Sequence, residues 1–303
     1  MRRSLLTALA LYPLTACARP PGSSGSSGPP LQVTGPFATR PRVTLPGGPP
    51  PAQPVVQVLS TGRGPIVERG QAVIAHADIR LWSTGRTYLS TYSLNQPTTV
   101  LLDGRHVAPT WATALLGRPA GTRVALIAPA TQGFGPGGLS PAGVAPTETL
   151  VIVFDILAAY APTAHVTDAP GPATRPRVIG FPPTLTSFPA QPPQALTTHT
   201  LHQGTGAPLR PGATVFVQYV TTPWGSRTPT DASYARGGPN GFLLVGNAVP
   251  PGWVSGLTGI PTGSRVLLIS PPKPGFTATT GGVIVPRDTH AAYVIDILGA
   301  RRP

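Results

Sequence analysis

One block of residues returns along this chain at a fixed spacing, and that repeat limits the fold more than any other feature. Trp111-x3-Leu115-x-Gly117-x-Pro119-x-Gly121-x-Arg123-Val124-x-Leu126-Ile127 recurs 142 positions later as Trp253-x3-Leu257-x-Gly259-x-Pro261-x-Gly263-x-Arg265-Val266-x-Leu268-Ile269. The offset holds upstream for Gly62/Gly204, Gly64/Gly206, Gly70/Gly212, Val73/Val215, Val107/Val249 and Pro109/Pro251. Downstream it holds for Pro129/Pro271, Gly133/Gly275 and Phe134/Phe276. Asp155-Ile156-Leu157 and Asp296-Ile297-Leu298 stand 141 apart, one residue of loop slippage. Solenoid repeats run about 20–50 residues. A period this long means two folded units of one design.

Each unit reads as strand-rich. Ala72–Ile79 and Ala213–Val220 are apolar and β-branched and follow glycine-containing turns. Arg123–Ile127 and Arg265–Ile269 are short apolar runs closed by proline, and Leu150–Leu157 and Ala291–Leu298 close each unit as a last strand. One helical fragment lies between: Thr110–Leu116, stopped by Gly117, and its copy Gly252–Leu257, stopped by Gly259. Tryptophan and leucine four apart share one face of that turn. The expected fold is α+β, an antiparallel sheet with one short helix laid against it, built twice.

The remaining sequence is punctuation. Proline (42) and glycine (36) make up about a quarter of the 303 residues, a level at which disorder is the default, yet 40% of the chain is hydrophobic. Folded units joined by Pro/Gly-rich stretches reconcile the two. Residues 17–52 read as a tether and 161–194 as a linker, neither expected to build a core, which leaves units at 53–160 and 195–303.

The first residues point to export. Arg2 and Arg3 precede the short apolar run Leu5–Leu11, far below the ~20 residues that span a bilayer. Leu14-Thr15-Ala16-Cys17 then resembles a bacterial lipobox, and Cys17 is the only cysteine of the chain. The expectation is a signal peptide at 1–16, lipid on Cys17 and an extracytoplasmic, membrane-anchored protein. A single cysteine also excludes an internal disulfide framework.

Charge excludes more than it assigns. Twenty-two basic residues face nine acidic ones, and Lys273 is the only lysine. Without Arg2 and Arg3, 20 basic residues remain, several of them (Arg19, Arg40, Arg42, Arg175, Arg177) in the proline-rich stretches and Arg301 and Arg302 at the C-terminus. No nucleic-acid motif accompanies this charge, so no nucleic-acid partner is expected; anionic lipid or wall polymer suits it better. Nine carboxylates are few for paired-acid hydrolysis or a Mg²⁺ or Ca²⁺ cage. Gly133-Phe134-Gly135-Pro136-Gly137-Gly138 matches G-x-G-x-x-G as a string, but proline and glycine follow where a helix must start. His199-x-x-His202 has no third ligand beside it. No metal, cofactor or activated nucleophile is expected, and a monomer is.

Val249-Pro250-Pro251-Gly252-Trp253-x3-Leu257-x-Gly259-Ile260, then Gly263-x-Arg265…Ile269-Ser270-Pro271, then Gly281-Gly282-Val283-Ile284-Val285-Pro286 before the Tyr293–Leu298 strand form one ordered set. On these residues the repeated core resembles the FKBP-type peptidyl-prolyl cis–trans isomerases. It spans nearly all of 53–160 and 195–303. The resemblance implies that Trp253 and Trp111 floor a pocket, with Val249 and Ile284 lining the second one and Val107 the first. It places the early-strand tyrosine at Tyr219, where the first unit has Ala77, and the pocket aspartate at Asp231, where the first unit has Tyr88-Leu89. The late-loop aromatic becomes Phe276 and Phe134, and the last-strand aromatic Tyr293, with Ile152 in the first copy. The residue after the turn valine supplies a backbone N–H to the substrate carbonyl: Ala108 keeps it, and Pro250 has none.

By this resemblance the chain is expected to rotate X–Pro bonds in proline-containing polypeptides, slowly and mainly through 195–303. Two other readings remain compatible with the residues: an eroded module of the same fold that binds without catalysis, and an envelope protein that holds anionic polymer through arginine.

Overall fold

The computed structural model of the chain describes residues 31–94, 96–134, 143–167, 177–246, 248–250, 252–272, 279–280, 282–286 and 288–302. The expected signal peptide, Cys17 and Phe276 lie outside these residues.

The two units share one chain path. In the first, the hairpin β1 (Gln32–Thr34) and β2 (Arg42–Thr44) precedes β3 (Val55–Ser60), β4 (Ala72–Leu81), β5 (Thr87–Ser90) and β6 (Thr98–Leu101). Helix α1 (Pro109–Leu115) leads to β7 (Arg123–Pro129), the four-residue α2 (Ala130–Gly133) and β8 (Thr149–Tyr160). The second unit runs through the hairpin β9 (Arg177–Ile179) and β10 (Thr184–Ser187), then β11 (Thr197–His202), β12 (Thr214–Pro223), β13 (Asp231–Ala232) and a 3-10 turn at Ser233–Arg236. It continues with β14 (Asn240–Leu243), α3 (Trp253–Leu257), β15 (Arg265–Ser270), the short pair β16 (Thr279–Thr280) and β17 (Val283–Ile284), and β18 (Ala291–Arg301). Strand order is β3-β7-β8-β4-β5 in one sheet and β11-β15-β18-β12-β13 in the other, with β6 and β14 pairing to β4 and β12. Among the described residues every strand pairing is antiparallel, as expected.

The central strands carry apolar residues toward both faces because both faces are covered. Alternate residues of β8 divide between two cores. Leu150, Ile152, Phe154 and Ile156 join Ala114 and Leu115 of α1, and Val151 and Val153 face the other way. In β18 the same split sends Tyr293, Ile295 and Ile297 toward α3 and Ala292 and Val294 to the opposite face.

What covers that opposite face corrects the sequence reading. Residues 17–52 and 161–194 are not merely tether and linker. In their described parts each carries a hairpin packed on the outer face of the following sheet. Leu31, Val33, Val43 and Leu45 sit on Ala125, Ile127, Val151 and Val153. Val178, Leu185 and Phe188 sit on Leu267, Ile269, Ala292 and Val294. Strands of three or four residues need only two or three inward side chains, because the sheet supplies the rest of the core. The first hairpin is also tied by charge. Arg123 donates to the carbonyls of Gly35, Pro36 and Thr39 at 2.8–2.9 Å while pairing with Asp155 at 2.6 and 2.7 Å, and the Ala38 N–H reaches Asp155 Oδ2 at 2.6 Å. Arg265 and Asp296 repeat that buried pair at 2.5 and 2.7 Å. Such a pair contributes more to register than to net stability.

Two repeated glycines have a steric cause. A Cβ on Gly62 or Gly204 would land within the carbonyl oxygen of Ala120 or Thr262, so this loop lies on the turn before β7 and β15 only as glycine. Helix α3 starts one residue later than expected, with Gly252 as its N-cap at φ +84°.

Candidate functional site

Four aromatic rings meet between the helix and the sheet of the second unit. Trp253, the first residue of α3, lies edge-on to Tyr219 of β12 (5.7 Å between centroids), Phe242 of β14 (5.4 Å) and Tyr293 of β18 (5.7 Å). Trp253, Tyr219 and Tyr293 are 0% exposed and Phe242 1%. Edge-to-face pairs of this kind contribute about 0.5–1.5 kcal/mol each beyond their buried area. Two polar atoms of the box, Trp253 Nε1 and the Tyr293 hydroxyl, are buried and have no hydrogen-bond partner among the described residues.

One side of this box is polar and ordered. The Tyr219 hydroxyl donates to Asp231 Oδ2 at 3.0 Å, which also accepts from the Ile284 N–H at 2.8 Å and from Arg236 Nη2 at 2.9 Å. The Arg236 guanidinium lies 5.7 Å from the Tyr219 ring centre. Burial raises the Asp231 carboxyl above its ordinary value, against backbone N–H bonds from Ile284 and Ala232 that lower it. Val249 is fully buried in the same core, Pro250 is buried beside it, and the Ile284 side chain stands at the surface, 45% exposed. The structure therefore brings together Tyr219, Asp231, Val249, Pro250, Trp253, Ile284 and Tyr293, while Phe276 falls outside the described residues.

The first unit keeps the tryptophan and replaces its neighbours. At the repeat offset, Ala77 stands for Tyr219, Leu89 for Asp231, Leu94 for Arg236 and Val100 for Phe242, and Ile152 holds the place of Tyr293. Trp111 is only partly buried; its Nε1 donates to the Gly133 carbonyl at 2.8 Å and its ring packs edge-on against Phe154 at 4.9 Å. Smaller side chains leave space: a cavity of about 470 Å³ lies over Trp111, lined by Ala77, Ile79, Leu89 and Phe134 among others. Tyr88 and Phe134 meet edge-to-face at 5.7 Å near it, and Val107, Ala108 and Ile152 are buried in the surrounding core. Thus one copy packs its tryptophan into a closed aromatic box, and the other leaves it at the floor of an apolar cavity.

Sequence reasoning missed Phe242 and Arg236. Phe242 sits at the Val100 position of the repeat, so a full comparison of the copies reaches it. Arg236 carries no motif; its role follows from a 3-10 turn that returns it to Asp231, five residues earlier. Among the described residues no cluster of three His, Cys, Asp or Glu side chains is placed to hold a metal. The chemistry available in the second unit is that of a buried aromatic cluster, with two donors that have no partner among the described residues and a hydrogen-bonded carboxylate at one side.

A family model described as FKBP-type peptidyl-prolyl cis-trans isomerase matches residues 64–157 and 206–298, more than half of the chain. The chain is similar to an FK506-binding protein of Streptomyces anulatus, 33% identical over 119 residues, which is 39% of this chain and 96% of the relative. Among solved structures it is similar to FkpA from Escherichia coli at 27% identity and a TM-score of 0.31, over 36% of this chain and 48% of that one, about half of its length. A peptidyl-prolyl cis-trans isomerase from Pseudomonas syringae pv. tomato is similar at 26% identity and a TM-score of 0.30, over 35% of this chain and 74% of that one.

Proposed function

Because the chain belongs to the FKBP-type peptidyl-prolyl cis-trans isomerase family, we propose that it accelerates rotation about X–Pro bonds in proline-containing polypeptides, and that its second unit carries the activity. The single observation behind the choice of unit is the box of Tyr219, Phe242, Trp253 and Tyr293 with Asp231 at its side. The first unit has alanine, valine, isoleucine and leucine at the corresponding places.

The chemistry needs no nucleophile. A planar peptide bond resists rotation by about 18–20 kcal/mol because twisting removes amide resonance. The twisted form has also lost part of its charge separation, so water favours it less than an apolar enclosure does. Aromatic walls that hold the twisted form better than the planar one lower the barrier by that difference, tenfold per ~1.4 kcal/mol. Pro250 has no N–H for the substrate carbonyl. The Tyr293 hydroxyl and Trp253 Nε1 are the buried donors without partners in the same box. A protease-coupled isomerisation assay tests the proposal: acceleration at protein concentrations far below the peptide supports it.

Full burial of Trp253 and the absence of a donor at Pro250 favour a second reading, a module that holds proline-containing segments without rotating them. Peptide binding at stoichiometric concentration with no acceleration would select that reading.

We further propose that the protein is exported and anchored by lipid on Cys17, on the strength of Arg2, Arg3, Leu5–Leu11 and Leu14–Cys17. An acyl mass on the wild type and its loss in Cys17→Ser, with release from membranes, is the expected result. Membrane retention of Cys17→Ser and no acyl mass on the wild type would contradict it.

A further inference from the structure

The first sheet ends on a strand with one side open. In the order β3-β7-β8-β4-β5, strand β3 pairs with β7, and among the described residues no strand lies on its other side. It reads Val55-Val56-Gln57-Val58-Leu59-Ser60: four apolar side chains, no charge and no proline. Val55 is 41% exposed and Val58 38%. Such an edge presents N–H and C=O groups beside apolar side chains, which is the surface on which a strand of another chain adds. Folded proteins ordinarily blunt an edge of this kind with charge or proline.

The second unit blunts the same edge. Its counterpart β11, the terminal strand of its sheet, reads Thr197-Thr198-His199-Thr200-Leu201-His202. At the repeat offset Val55, Val56 and Val58 correspond to Thr197, Thr198 and Thr200. Threonine has the shape of valine and is equally at home in a strand, and the two edges pair with β7 and β15 in the same register. What differs is the affinity of the edge for water: three methyl groups stand where the other copy has hydroxyls. The edge of β3 is apolar by choice of side chain, not by backbone geometry.

We propose that β3 is a self-association edge, pairing antiparallel with β3 of a second copy of this chain about a two-fold axis at Gln57. Symmetry leaves few alternatives. A two-fold axis normal to the sheet returns each face to itself, and side chains alternate between faces, so the axis falls on a residue and not between two. At Gln57 it sets Val56 against Val58, Val55 against Leu59 and Gln57 against itself, so like meets like at each position. A carboxamide carries both donors and an acceptor and can bond to its own copy, which neither an ammonium nor a carboxylate can do. With the axis at Val58, Gln57 would face Leu59 and Val56 would face Ser60. With the axis at Val56, the ladder would take in Pro54, which has no N–H. The Gln57 register also keeps the bulge between Val58 and Ser60 at the end of the ladder. Because the strand is uncharged, the two edges meet without local repulsion although the chain has a formal net charge of +13. The contact joins two first-unit sheets into one. It is small, so the dimer is weak and concentration-dependent, in place of the monomer expected from the sequence.

The test is sedimentation velocity on the full chain with Cys17→Ser, which keeps lipid out of the measurement, from about 1 μM to about 1 mM protein. With β3 unchanged, a reversible monomer–dimer equilibrium should appear in that range. Gln57→Glu and Gln57→Lys each put like charges together at the axis and should each weaken the dimer about tenfold or more. An equimolar mixture of the two sets glutamate against lysine and should restore the dimer to within about threefold of its original strength. Val55→Thr combined with Val58→Thr copies the edge of the second unit and should also weaken association about tenfold. A chain that stays monomeric throughout, a dimer that Gln57→Glu leaves intact, or a mixture that stays monomeric would each overturn the inference. None of these outcomes bears on the isomerisation assay.

Discussion

At the scale of single residues, the copies differ in where they leave polar atoms. Trp111 Nε1 is bonded to Gly133, whereas Trp253 Nε1 and the Tyr293 hydroxyl are buried without partners among the described residues. An unsatisfied buried group costs ~1–3 kcal/mol and a neutral hydrogen bond returns ~0.5–1.5 kcal/mol. Tyr293→Phe should therefore leave the melting temperature unchanged or raise it, while kcat/KM for an X–Pro peptide falls roughly two- to tenfold. A lower melting temperature with unchanged kcat/KM would remove the hydroxyl from the site. His76 carries a second prediction. Its ring is buried, stacked at 4.2 Å on Tyr92, with Nδ1 2.9 Å from Thr91 Oγ1. Burial pulls its pKa down to about 4; Asp155 opposes that shift and Arg301 adds to it. The unfolded chain binds this proton near pH 6.5 and the folded one only near 4. Stability from this group is thus complete above pH 6.5 and falls as pH drops toward 4, by up to about 3 kcal/mol. Chemical denaturation of His76→Gln should show a smaller loss between pH 7 and pH 5 than the wild type, and an identical loss would contradict the assignment.

At the scale of elements, the three central strands and the helix of each unit were legible, and the shorter flanking strands and the two hairpins were not. Trp111/Trp253 and the G-x-R strands carry periodicity and spacing that survive in both copies, and the buried Arg–Asp pairs explain why arginine and aspartate are repeated with them. The hairpins hide in sequence because only two or three apolar residues each, such as Val33 and Val43 or Val178 and Leu185, sit among prolines and glycines. A composition average therefore reads those stretches as spacers. Leu185, 1% exposed, separates the two views. In a spacer Leu185→Ala changes stability by less than ~0.5 kcal/mol. In a covering hairpin it costs ~2–5 kcal/mol, and equilibrium unfolding in urea should show that larger loss.

At the scale of the whole molecule, duplication has yielded two unlike sites. The second unit has the aromatic box and its Tyr219–Asp231–Arg236 network; the first has smaller, apolar side chains at those places and a cavity that residues of the second unit also line. Alignment of the copies exposed the first contrast from sequence. The contact between the two units stayed unreadable, because Gly237, Gly238 and Gly241 look like turn residues until the chain they approach is in place. Catalysis of X–Pro rotation by the second unit's box is put to the test by the protease-coupled isomerisation rate of the full chain with Tyr219→Ala or with Trp111→Leu. Tyr219→Ala copies the Ala77 of the first unit and should lower kcat/KM at least tenfold in protein that remains folded, while Trp111→Leu should leave it within about twofold. Loss of activity in Trp111→Leu with full activity in Tyr219→Ala would place catalysis in the first unit instead.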